Sequence, residues 1–153
     1  MYSKEEVKRL KEDFWTSYGQ YMSVVPSADG ERINWVNYKT GIKHLYFRMD
    51  ADKKHAEICV EISHPDAGLR ELIYDQFLEL KSVFLQNVSG TWTWDKALYT
   101  SEGKQISKIS CQLFDVSIFK RDDWPKLITF FKTHLIALDE FWSTAKYSFD
   151  IFK

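Results

Sequence analysis

Cysteine and glycine are both scarce in this chain, and their scarcity excludes several kinds of site. The 2 cysteines, Cys59 and Cys111, stand apart, with no CxxC pair and no neighbouring cluster of metal ligands. We therefore expect two reduced thiols rather than a disulfide. The 6 glycines are scattered, whereas a phosphate-binding loop needs several close together so that its backbone can approach the phosphates. Nucleotide binding of that kind is excluded, and we expect no cofactor.

Long apolar runs and long blocks of one charge are also lacking. No apolar run approaches the roughly 20 residues that span a bilayer, and the charged start of the chain leads into no signal-peptide core. The formal net charge is -1, from 21 basic and 22 acidic residues, which is low for a protein that binds nucleic acid mainly through phosphates. We therefore expect a cytoplasmic protein with no membrane partner.

Aromatic residues, in contrast, are abundant. The 11 Phe, 8 Tyr and 6 Trp make up 16% of the chain, and each of these side chains buries a large apolar area. The hydrophobic fraction of 44% is ordinary for a globular protein. We therefore predict that residues 1–153 form a single domain whose core is largely aromatic.

Three segments have the hydrophobic spacing of amphipathic helices. The first begins at a capping box that starts with Ser3, and it ends near Val24. The second begins at Pro65 and stops before Gly90, and the third follows residues 121–123. Both of the later helices have a proline where the first turn tolerates the missing backbone N–H.

Between these helices the hydrophobic period changes to two, which is typical of half-buried strands. Residues 45–49 and 56–62 alternate in this way across the polar turn 50–54, and residues 91–99 and 105–114 form a second such pair. Hairpins favour an antiparallel sheet. We therefore predict a two-layer α+β fold of order α-ββ-α-ββ-α, with an antiparallel sheet of two hairpins and three helices packed on one face.

The side of the first hairpin that points away from the core is a candidate binding surface. Its six alternating residues are His44, Tyr46, Arg48, Glu57, Cys59 and Glu61. Opposite charges that face each other across strands commonly do no more than stabilise the sheet, by less than about 1 kcal/mol per pair. If helices cover only the other face, however, this one is open to a partner.

The segment that precedes the first hairpin mixes aromatic residues with amides and lysines. Its aromatic and basic members are Trp35, Tyr38, Lys39 and Lys43. Such a mixture can stack on bases and neutralise phosphates. It is more typical of a loop that tucks its aromatic side chains under the edge of a domain.

Catalytic signatures are missing at the positions where they would be expected. The pair Glu61 and His64 has a spacing that suits a metal only on a continuous helix, which Pro65 argues against. Cys59 and Ser63 occupy the two positions where a metal-dependent nuclease would carry its lysine. The sequence therefore assigns no catalytic residue and no metal ligand.

Short strings distributed along the chain carry a family resemblance, and they lie at residues 14–15, 33–41, 46–52, 76–81, 121–125 and 138–142. Together they resemble an uncharacterised bacterial family catalogued as domain of unknown function 4268. The resemblance implies no catalytic residues. In longer proteins, related domains follow a restriction-nuclease-like domain, and that context implies nucleic-acid processing or defence. These 153 residues contain no such second domain.

Taken together, the sequence favours a non-enzymatic module that binds a protein or a nucleic acid. Its binding surface would comprise the first hairpin and the loop from Trp35 to Lys43. The alternative is a small metal-dependent hydrolase or nuclease that uses Glu57, Glu61 and a nearby aspartate. A homodimer is compatible with either hypothesis, because an exposed sheet face can pair with itself.

Overall fold

The two predicted hairpins join edge to edge into one four-stranded antiparallel sheet of order β1-β2-β4-β3. A computed structural model describes residues 2–153 of the chain. The strands are β1 (Leu45–Ala51), β2 (His55–Ile62), β3 (Thr93–Tyr99) and β4 (Gln105–Phe114). Because β2 pairs with β4, the two hairpins form a continuous sheet with β1 and β3 at its edges. The predicted α+β class and antiparallel sheet are confirmed.

Four α-helices are present among the described residues, one more than the sequence predicts. They are α1 (Lys4–Met22), α2 (Ala67–Glu79), α3 (Lys81–Asn87) and α4 (Trp124–Ala145). The second predicted helix is divided at Leu80, whose backbone N–H donates to the carbonyls of both Gln76 and Phe77, at 3.2 and 3.1 Å. This shared hydrogen bond tightens the last turn of α2, and α3 begins at the next residue.

The helix α1 begins at its predicted cap, whereas α2 begins two residues after Pro65, which therefore lies outside the helix and not in its first turn. The Ser3 hydroxyl accepts a hydrogen bond from the Glu6 backbone N–H at 3.2 Å, and the Asp66 carboxylate accepts one from the Leu69 N–H at 3.0 Å. The third start differs, because the Asp123 carboxylate accepts from the backbone N–H of Ser117 at 2.9 Å instead of capping α4. The Asp123 side chain thus fixes the segment that leads into α4 and does not cap the helix.

Trp142 of α4 stands at the centre of the aromatic core. Its ring meets Phe47 of β1 edge-on at 5.7 Å between centroids, stacks with Phe77 of α2 at 6.2 Å, and lies 5.0 Å from Phe149. All four of these side chains are almost fully buried. Rings from the sheet, from two helices and from the C-terminal 3-10 segment Lys146–Phe152 therefore meet at one position. The helix α1 packs against α4 chiefly through aromatic contacts with Phe131.

Tyr18 of α1 is fully buried, and its hydroxyl has no hydrogen-bond partner among the described residues. Burial also raises the pKa of Tyr18 well above its usual range, so the phenol stays protonated. An unsatisfied buried hydroxyl costs about 1 to 3 kcal/mol. We expect Tyr18→Phe to raise the free energy of unfolding in urea by about 1 kcal/mol. Tyr21→Phe, on the exposed side of the same helix, should change it by less than about 0.5 kcal/mol. A loss of stability in Tyr18→Phe would contradict this account.

Candidate functional site

The side chains that point away from the helices form one continuous surface, which we call the outer face. By strand register its members are Tyr46, Arg48 and Asp50 of β1, His55, Glu57, Cys59 and Glu61 of β2, Lys108, Ser110, Gln112 and Phe114 of β4, and Thr93 and Asp95 of β3. The outer face includes five of the residues that the sequence selects as a binding surface, namely Tyr46, Arg48, Glu57, Cys59 and Glu61.

Charged side chains of the outer face are held in fixed positions by one another. Arg48 Nε lies 2.9 Å from Glu61 Oε2, and its guanidinium sits 4.1 Å from the centre of the Tyr46 ring. On the other side of β2, Lys108 Nζ lies 2.8 Å from Glu57 Oε2. Exposed pairs of this kind add little stability, but they keep the long side chains in one arrangement.

Cys59 lies beneath these ion pairs. It pairs with Ser110 in the register, and the Glu57–Lys108 ion pair joins residues on either side of that Cys59–Ser110 rung. Cys59 is only 4% exposed as a result. Burial, aided by the neighbouring Glu57, raises the pKa of the Cys59 thiol to about 12. The thiol therefore stays protonated at neutral pH and is a poor nucleophile.

The cover over Cys59 can be tested by alkylation. In a Cys111→Ser background we expect iodoacetamide at pH 8 to modify Cys59 at least about a hundredfold more slowly than in the urea-unfolded chain, because the thiolate is almost absent. Glu57→Ala removes the covering ion pair and should speed the reaction, as measured by mass spectrometry. Asp50→Ala serves as the control on the same face. Equal rates in Glu57→Ala and the parent would contradict this account.

Residues 23–44 connect α1 to β1 without forming a helix or strand, and we call this segment the long loop. Trp35 is 2% exposed and donates its indole N–H to the Val25 carbonyl at 2.9 Å. The partly buried Tyr38 stacks on Phe47 at 5.1 Å. The aromatic rings of the loop thus pack inward, while Lys39 remains exposed.

The remaining two candidate residues lie at a different corner of the molecule. His44 precedes β1 with a positive φ of 62°, and its ring packs edge-on against His64 at 5.0 Å. Exposed Lys43 lines the same corner. The ten residues that the sequence selects therefore divide among the outer face, the long loop and this corner, and they do not form one surface.

A stripe of polar side chains on α4 holds the long loop, and it was missed at the sequence level. The α4 stripe consists of Asp139, Trp142 and Ser143 with Lys146 just beyond the helix, at a spacing of i, i+3, i+4 and i+7. This spacing places all four on one side of the helix. The one feature of the sequence that could have revealed the stripe is Asp139, a carboxylate four residues after Leu135 on the apolar side of α4.

Asp139 is the buried member of the α4 stripe, at 5% exposure. One carboxylate oxygen accepts a hydrogen bond from the Tyr38 hydroxyl at 2.5 Å, and the other accepts from the Ala28 backbone N–H at 2.7 Å. Burial, followed by the hydrogen bond to Asp139, raises the pKa of Tyr38 well above its usual range. Tyr38 therefore remains a hydrogen-bond donor at neutral pH.

The other members of the stripe bind the loop on either side of Asp139. The Trp142 indole N–H donates to the Thr40 carbonyl at 2.9 Å. The Ser143 hydroxyl donates to Asp29 Oδ1 at 2.6 Å, and Lys146 Nζ donates to Asp29 Oδ2 at 3.1 Å. These hydrogen bonds, first from Ser143 and then from Lys146, lower the pKa of Asp29.

A pocket with a volume of about 280 Å³ lies between the long loop and the α4 stripe. Its lining side chains include Asp29, Glu31, Asn34, Tyr38, Lys39, Asp139, Trp142 and Lys146. Charged residues of both signs and two aromatic residues therefore line one concavity.

Residues 2–153 contain no group of three or more His, Cys, Asp or Glu side chains arranged to hold a metal ion. Glu57 and Glu61, the carboxylates of the hydrolase hypothesis, form ion pairs with Lys108 and Arg48, respectively.

Among residues 2–153, no helix is long and apolar enough to cross a membrane.

The hydroxyl of Tyr38 provides a direct test of the loop anchor. We expect Tyr38→Phe to lower the free energy of unfolding in urea by about 1 to 3 kcal/mol, because the buried Asp139 carboxylate loses one of its two donors. Tyr147→Phe, at a tyrosine that is 67% exposed, should have no measurable effect. Unchanged stability in Tyr38→Phe would show that this hydrogen bond does not fix the loop.

Comparison with known proteins identifies a family but no characterised relative. The family described as Domain of unknown function (DUF4268) matches residues 10–146 of the chain. No curated protein and no solved structure matches the chain.

Proposed function

This chain belongs to the DUF4268 family, and we propose that it is a non-enzymatic module that binds a protein partner through its outer face. The observation that carries the proposal is the one-sided packing of the sheet. Rings on α2 and α4 contact Phe47 and Trp94 from the inner side, whereas Arg48, Gln112 and Phe114 on the outer side are exposed.

The outer face is also organised in advance of binding. Arg48 is held between the Tyr46 ring and Glu61, and Gln112 donates to Glu57 at 3.1 Å. A partner that meets side chains already in place loses less conformational entropy on binding. Next to these charges, Phe114 is 66% exposed and offers an apolar contact, which suits the mixed composition of protein interfaces.

Charge favours a protein over a nucleic acid as the partner of this face. The outer face has two basic side chains, Arg48 and Lys108, both already paired with carboxylates. It also has four acidic side chains, Asp50, Glu57, Glu61 and Asp95. A phosphate backbone would meet a net negative surface and gain little from counterion release. A role in nucleic-acid processing or defence would therefore act through the protein partner.

Site-specific photo-crosslinking in cells of the native host tests the proposal. A photoreactive amino acid in place of Gln112 should yield a covalent adduct with a protein, identified by mass spectrometry. The same amino acid in place of Glu140, which is exposed on α4, should not. Arg48→Glu reverses one of the fixed charges and should reduce the Gln112 adduct at least about tenfold.

Two outcomes would overturn this proposal. They are an adduct with nucleic acid, or equal adducts from the Gln112 and Glu140 positions. An adduct of twice the mass of the chain would identify the partner as a second copy, and sedimentation of the purified protein would then show a dimer that Arg48→Glu dissociates. Circular dichroism of each variant checks that the fold is retained.

A further inference from the structure

The pocket between the long loop and the α4 stripe contains a carboxylate whose charge no neighbouring cation balances. Both oxygens of Asp139 accept hydrogen bonds from uncharged donors, the Tyr38 hydroxyl and the Ala28 N–H. The ion pairs among the described residues do not include Asp139. A carboxylate that is 95% removed from solvent is normally paired with a cation. In the described part of the chain, Asp139 has no such cation beside it, and it lines the wall of a pocket.

The other charged groups of the pocket increase this imbalance. Lys146 pairs with Asp29 at 3.1 Å and makes no ion pair with Asp139. Glu31 is exposed and adds a third carboxylate to the lining, while Lys39 is the second ammonium group. Three carboxylates thus face two ammonium groups across one concavity, and its potential favours a positively charged ligand.

The size of the pocket limits the ligand further. A volume of about 280 Å³ is at the lower end of the range for small-molecule sites. We propose that this pocket binds a small organic cation, with an ammonium or guanidinium group against Asp139. The site is separate from the outer face and does not depend on the function proposed above.

Agmatine, which has an ammonium group at one end and a guanidinium group at the other, is a suitable probe. The Trp142 indole N–H donates to Thr40 at the pocket, and its assigned proton-nitrogen NMR signal reports binding there. The Trp124 indole, which donates to the Ile118 carbonyl at 2.7 Å, is the internal control. We expect agmatine to shift the Trp142 signal saturably and to leave the Trp124 signal unchanged. Glutarate, an anion of similar length, should shift neither.

Three substitutions distinguish a role of Asp139 in binding the ligand from a purely structural role. Asp139→Asn removes the charge and should weaken agmatine binding at least about tenfold. Glu31→Gln, at an exposed residue on the pocket wall, should weaken it about threefold without risk to the fold. Glu140→Gln, next to Asp139 but exposed on another side of α4, should bind as the wild type does.

The proposal fails if agmatine produces no saturable shift of the Trp142 signal, or if glutarate binds instead. It also fails if Glu31→Gln and Glu140→Gln bind agmatine with the same affinity. Because Glu31 makes no ion pair among the described residues and is exposed, this last comparison remains valid even if Asp139→Asn does not fold.

Discussion

Hydrogen bonds between the α4 stripe and the long loop fix the part of the molecule that has no regular secondary structure. A long segment without helix or strand must find partners for its backbone groups outside itself. Asp139 satisfies the Ala28 N–H, and Trp142 binds the Thr40 carbonyl. Between Ala28 and Thr40, Asp29 accepts hydrogen bonds from Ser143 and Lys146. These contacts determine where the loop delivers the chain to β1.

The sheet depends on the same contacts through β1, which is an edge strand. The Tyr38 ring, fixed by Asp139, stacks on Phe47 of β1, and Trp142 meets the same ring edge-on. Alternation along a strand then requires Tyr46 and Arg48 to point to the opposite side. The direction in which Tyr46 and Arg48 point therefore follows from the packing of Phe47 on the far side of the sheet.

The elements of the fold were predictable because their signals are local. Hydrophobic period and turn residues identify both hairpins and the helices without reference to the rest of the chain. The division at Leu80 was not predictable in this way, since no glycine or proline marks it and only a shared hydrogen bond ends α2. The sequence of the long loop favours inward packing of Trp35 but does not identify its partner, because the Val25 carbonyl lies in an irregular turn.

The candidate site was predictable only in part, for a related reason. Period two places Arg48, Glu57 and Glu61 on one face of the sheet, and the structure pairs these charges across neighbouring strands. Asp139 could be seen only as a carboxylate on an apolar helix face, because its partners come from a distant loop. The two sites also differ in chemistry. The two basic side chains of the outer face are each paired with a carboxylate near the surface, where an ion pair costs little desolvation. The buried carboxylate has uncharged donors alone, and at low dielectric a cation has much more to gain there.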